Sequence, residues 1–191
     1  MKRKSQSDRV RGNTEARNPR GASKTEMLAT ERLRRLYLPP RVRILFVGEA
    51  PPASGRFFYQ ADSGLYRAVR DAFLAAGRAT PEANFLGTFC ALGCYLVDLC
   101  GKPVDRLTQT ARVKACRAGE PRLSKVLRQL RPALVVVVVR SIANNVQRSE
   151  KHANWSGRNI ELPYPGRWNR HRAAFLAGLI PVLRRLLPPA A

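Results

Sequence analysis

Apolar residues in this chain fall into two kinds of run, short unbroken blocks and longer stretches spaced by three and four. Ile44 to Val47 and Leu134 followed by Val135 to Val139 are blocks with no polar alternation, which suits strands buried on both faces of a parallel sheet. Leu92 to Leu99 reads as a further strand and Asn159 to Leu162 as a short fourth one. Helical spacing appears at Leu65, Val69 and Phe73, at Leu123, Val126, Leu127 and Leu130, and at Phe175, Leu176, Leu179, Leu183 and Leu186. Asp62-Ser63-Gly64 resembles an N-cap for the first of these, Pro121 suits the first position of the second, and Pro181 is expected to kink the third. Ser141 caps a short helix through Val146. Ahead of the first strand, Thr25 to Tyr37 forms an amphipathic helix with Leu28, Leu33, Leu36 and Tyr37 inward and Arg32, Arg34 and Arg35 outward, stopped by Pro39-Pro40. Strand and helix alternating four times predict an α/β fold, a three-layer α/β/α sandwich on a central, mainly parallel four-stranded sheet.

Composition refines this picture. With 191 residues, 45% of them hydrophobic, the chain supports one core. Residues 1–24 hold almost no large apolar side chain and carry eight Lys/Arg against two acids, so they are expected to be a disordered basic tail before a domain at 25–191. The formal charge of +22 favours a polyanionic partner, with nucleic acid first; an arginine-rich composition that binds no polymer is the plainer reading. Neither a stretch near the ~20 apolar residues of a membrane span nor a secretory signal is visible, so no membrane partner, an intracellular location in cytoplasm or nucleoid, and a monomer are expected. Cys90, Cys94, Cys100 and Cys116 form no disulfide framework, and His152 and His171 have no partner at metal spacing.

The candidate chemistry sits where the first strand breaks into Gly48-Glu49-Ala50-Pro51-Pro52. In open α/β sheets ligands collect at the carboxyl ends of strands, and a second Pro/Gly loop, Leu162 to Arg170, is predicted at the same edge. These paired loops resemble the uracil-DNA glycosylase superfamily, which has a Gly-x-x-Pro loop after its first core strand and a Pro-containing loop after its last. Gly48-Glu49-Ala50-Pro51 is most similar to the Gly-Glu-Ala-Pro form of the family's iron–sulfur branches, and the resemblance spans about Val42 to Leu187.

The resemblance implies a base-flipping enzyme that cleaves the N-glycosidic bond of a deaminated or mismatched base in DNA, without cofactor chemistry. On that reading Glu49 organises water or the sugar; Gly48, Ala50, Pro51, a stacking Phe58 or Tyr59, and Asp98 bind the base; and Pro163, Gly166, Arg167, Asn169, Arg170 and Arg172 grip DNA. Ala50 stands where some branches keep a catalytic Asp or Asn, and Leu162 where many members have a His. The iron–sulfur members use four thiolates; Cys100 and Cys116 resemble the later pair, but no cysteine precedes Cys90, so neither a cluster nor another metal is expected.

Each residue also has a plainer role. Glu49 can hold an arginine or a helix N-terminus, Asp62 can cap, Phe57 to Tyr59 can be core, Asp98 can pair with Lys102 or Arg106, and the arginines after Gly166 can be a solvated helix start. Two further readings follow: a catalytically inactive nucleic-acid-binding member, and an enzyme on a small phosphorylated ligand, for which no phosphate-cradling Gly motif is present.

Overall fold

The computed structural model describes residues 24–166 and 168–190. The expectation of a disordered tail over residues 1–24 lies outside the described residues except at Lys24, which opens the first helix, and the role of Arg167 lies outside them too. In chain order the elements are α1 (Lys24–Leu36), β1 (Ile44–Gly48), α2 (Gly64–Ala75), α3 (Phe85–Ala91), β2 (Cys94–Asp98), α4 (Gln109–Leu130), β3 (Leu134–Val137), α5 (Ala143–Ala153), β4 (Arg158–Glu161) and α6 (Asn169–Leu186). All strand pairs are parallel, in the order β2-β1-β3-β4. The α/β sandwich read from the sequence is therefore the fold.

Register follows from burial. β1 lies between β2 and β3, with Phe46 opposite Leu96 and Val136, so both of its faces are covered and every residue of the strand is buried. Right-handed crossovers then put α4 and α5 on one face of the sheet and α2 and α6 on the other, and these are the helix pairs in contact. α2 begins where Ser63 Oγ accepts from the Tyr66 amide at 3.1 Å. Asp62 caps nothing; its Oδ1 accepts from the Phe57 amide at 2.7 Å and so fixes the aromatic segment.

Several elements differ from the sequence reading. α3 is a helix absent from the sequence reading, capped by Asn84, whose side chain accepts from the Gly87 amide. α4 starts at Gln109, a dozen residues before Pro121, and these added turns carry no apolar stripe because Arg112, Cys116 and Glu120 occupy the inward positions that would have signalled a helix. Pro121 is exposed mid-helix, so the missing hydrogen bond is left on the solvent side. Gly119 lets α4 press against the end of β2, since a Cβ there would stand 2.2 Å from the Leu99 carbonyl oxygen. α5 follows a 3-10 turn at Arg140–Ile142, takes no cap from Ser141, and continues to Ala153. α6 runs through Pro181.

One polar network joins α4 to α5. Glu120 Oε1 accepts from Asn145 Nδ2 at 2.7 Å and from Arg148 Nη2 at 2.7 Å, while Ser149 Oγ donates to the Glu120 carbonyl at 3.3 Å. Burial acts upward on the Glu120 pKa, but the bonds from Arg148 and Asn145 outweigh it and leave the carboxyl below its ordinary value. A lowered folded-state pKa gives stability that is present above the unfolded value, about 4.3, and is lost as pH falls through the folded one. Glu120→Gln is therefore expected to flatten the acid limb of a pH–stability curve while leaving its alkaline side parallel to that of the parent protein. An unchanged acid limb by urea titration at stepped pH would remove this assignment.

Candidate functional site

At the carboxyl ends of β1, β2 and β3 the chain encloses a cavity of about 330 Å³, at the small end of the range for ligand pockets. Its walls are mainly apolar, with Phe57, Phe58, Leu65, Leu96, Val104 and Val138. Gly48, Glu49, Ala50, Pro51 and Asp98 reach it as expected from the strand ends; Arg112 and Tyr164 are additional.

Asp98 lies beside Gly48 in the register of β1 and β2, and a Cβ on Gly48 would stand 2.7 Å from Asp98 Oδ1. Glycine is needed here for close approach of a carboxylate. Asp98 pairs with neither Lys102 nor Arg106. Its Oδ2 accepts from Arg34 Nη2 at 2.9 Å, and Arg122 donates to its carbonyl. Burial pushes the Asp98 carboxyl upward against the opposing pull of Arg34 and Arg122.

Arg34 corrects the reading of α1. It points inward and is 6% exposed, whereas Leu36 points outward at 78%. Besides Asp98 it donates to Glu31 Oε2 at 2.6 Å, and its guanidinium carbon stands 5.5 Å from the centre of the Phe57 ring. A buried carboxylate and an aromatic face together outcompete solvent for this side chain. Nothing in a basic, leucine-containing helix marks which arginine will do this.

Glu49 holds an arginine, the plainer role considered for it, and does so inside the cavity. Arg112 Nε donates to Oε1 at 2.5 Å and Nη2 donates to Oε2, a bidentate pair, with Cys116 Sγ 3.6 Å from Oε1. The Glu49 carboxylate in turn raises the pKa of Arg112. Arg112 was missed because it stands in the half of α4 that the apolar pattern left blank.

The aromatic segment divides. Phe58 is buried yet lines the cavity. Tyr59 belongs to the core: it is 2% exposed, stacks on Tyr37 at 5.4 Å, donates to the Leu96 carbonyl at 3.1 Å and accepts from the Leu96 amide at 2.7 Å. Burial raises its phenol well above the ordinary value. With its hydroxyl tied and its ring covered, Tyr59 offers no stacking surface to a base.

The second loop is also split in role. Leu162 is 5% exposed and packs against α6, where a Cβ on Gly178 would meet it at 2.6 Å. Among the described residues of this loop Tyr164, 47% exposed, is the one that lines the cavity, and the Gly166 amide donates to its carbonyl at 2.8 Å. Pro163 is half-buried, Gly166, Asn169 and Arg170 are exposed, and Arg172 is paired with Asp71. Trp168 is exposed at 60% just before α6.

The four thiols do not converge. Cys94 opens β2 and Cys100 stands just beyond its far end, roughly 20 Å away at about 3.3 Å per residue. Among the described residues no group of three or more His, Cys, Asp and Glu is placed to hold a metal ion. No helix among the described residues is long and apolar enough to cross a membrane.

Residues 36–184, most of the chain, match the family model described as Uracil DNA glycosylase superfamily. The chain belongs to the uracil-DNA glycosylase superfamily. A comparison with curated proteins gave no match. Superfamily membership makes DNA the class of partner, and the cavity described above, at the sheet edge where the two loops meet, is the candidate site of this uracil-DNA glycosylase superfamily protein.

Proposed function

We propose that the cavity receives one base extruded from DNA and that the glycosidic bond of that base is hydrolysed there. The observation that carries this reading is a small apolar cavity that gathers Glu49, Arg112 and Asp98 at the carboxyl edge of the sheet in a protein of this superfamily. Extruding a base costs a few kcal/mol, least for a damaged or mismatched pair, and apolar walls such as Phe58 offset that cost. Asp98, with Oδ2 taken by Arg34, keeps Oδ1 beside Gly48 to accept an N–H from the base edge.

In the reaction the bond between the base nitrogen and C1′ breaks, water oxygen bonds to C1′, and the water proton ends on the base. Positive charge grows on the sugar and negative charge on the base. A carboxylate offers about four lone-pair positions. Arg112 uses two on Glu49 and Cys116 faces a third, which leaves one for a water or the sugar. Arg112 supplies the opposite charge within reach of the same cavity. Pro163, Gly166, Asn169 and Arg170, with Arg167 beyond the described residues, are assigned to the DNA backbone; Arg172 reaches it only by releasing Asp71.

A catalytically inactive DNA-binding member is the second reading. It is favoured by Ala50, which brings no polar group, by Leu162 buried under α6, and by a Glu49 already occupied by Arg112. Incubation with duplexes and single strands carrying uracil, hypoxanthine, xanthine or mismatched thymine, followed by detection of abasic sites, separates the two. Abasic product on at least one substrate is expected. Retained binding with no product on any of them would leave the inactive reading standing.

A further inference from the structure

Two thiols lie beside the cavity with no part in the proposed hydrolysis. Cys100, just past β2, and Cys116, on α4, are both free and each 5% exposed, with their sulfurs 3.8 Å apart. Cys116 is one helical turn from Arg112 and its sulfur is 3.6 Å from Glu49 Oε1. The backbones nearby are already in close contact, since Gly119 of α4 leaves no room for a Cβ against Leu99. An S–S bond of about 2.05 Å is then within reach of side-chain rotation and a small shift of α4.

We propose that Cys100 and Cys116 form a reversible oxidation site, joined by a hydroperoxide into a disulfide that ties α4 to the end of β2 beside Glu49. One thiol loses its proton and attacks a peroxide oxygen; an S–O bond forms as the O–O bond breaks, and the departing hydroxide takes a proton to become water. The second thiolate attacks the resulting sulfenic sulfur; the S–S bond forms, the S–O bond breaks, and hydroxide leaves as a second water. Two thiols and one hydrogen peroxide thus give one disulfide and two waters, with two electrons passing from sulfur to oxygen. Burial pushes the Cys100 thiol up to about 12 and raises that of Cys116 as well, so both are protonated at neutral pH and the reaction is slow there. Its rate should climb about tenfold per pH unit while thiolate remains scarce. Once the bond has formed, Cys116 no longer has an S–H to offer Glu49, and the turn of α4 that carries Arg112 is anchored.

The inference is independent of the glycosylase reading, because its test needs no activity. The reduced full chain is treated under native conditions with hydrogen peroxide, free thiols are alkylated, and the product is weighed intact and as tryptic peptides. Expected are an intact mass two alkyl additions and about 2 Da below that of the unoxidised, alkylated control, a gain of about 2 Da on reduction with dithiothreitol, and a peptide pair in which fragment ions join Cys116 to Cys100. Cys100→Ser and Cys116→Ser should each abolish the link, and the map of the unsubstituted protein decides the matter if either variant fails to fold. Added oxygen without a link, a link through Cys90 or Cys94, complete alkylation, or a rate that ignores pH would each overturn the proposal.

Discussion

Replacing Arg34 with Met is expected to lower unfolding stability by about 3–5 kcal/mol, because it strands a carboxylate that burial already disfavours. The methionine retains much of the arginine stem's packing, so the loss reports charge rather than volume. Its pH dependence separates this cause from a packing defect. The folded-state pKa of Asp98 is already raised by burial, and removal of Arg34 takes away an opposing pull. A carboxyl whose folded pKa exceeds its unfolded one carries a cost that is full above the folded pKa and is relieved as pH falls through it. The deficit of the variant should therefore shrink as pH falls through the raised folded-state pKa of Asp98, and Asp98→Asn in the same chain should restore a large part of it. Urea titrations of both variants give the answer. A deficit that widens on acidification, or one below about 1 kcal/mol, would mean that Arg34 is not what keeps Asp98 in place.

For the proposed reaction, the largest effect is expected at Glu49. Glu49→Gln keeps shape and removes charge, and should slow single-turnover excision on the best substrate by about 100-fold or more. Folding should barely register the change. Arg112 is 37% exposed on its side chain, so water screens the guanidinium when its partner is neutral, and the stability loss should stay within about 1 kcal/mol. Excision that proceeds unaltered would place Glu49 with the structural ion pairs of the chain. A fall in activity matched by an equal fall in stability would do the same.

The legible part of this protein was the part held together by apolar contacts. Ile44 to Val47 and the run from Leu134 are strands because their neighbours cover both faces, and the loop after β1 reached the cavity as its position in the sheet required. What escaped was held by polar contacts. α4 and α5 meet through Glu120, Asn145, Arg148 and Ser149, and neither the first half of α4 nor the last turns of α5 present the apolar stripe that marks a helix in a sequence. Arg112 and Arg34 belong to the same class. Each looks like one more surface arginine until a carboxylate from a distant strand end is brought to it, 63 residues away for Arg112 and 64 for Arg34. Tyr59 failed in the opposite sense. Three consecutive aromatics do not say which ring turns away from the cavity, and here the bonds to Leu96 decide it.

β4 completes the sheet with nothing paired on its outer side among the described residues, and Arg158, Asn159 and Glu161 are exposed along it. A free strand edge is an invitation to another chain, which would add itself through main-chain hydrogen bonds. Only four residues long and bearing charge at both ends, β4 makes a poor template for that growth. Protection of this edge thus rests on side chains that have no part in the cavity, and replacing Arg158 and Glu161 with valine is expected to convert it into a site for self-association.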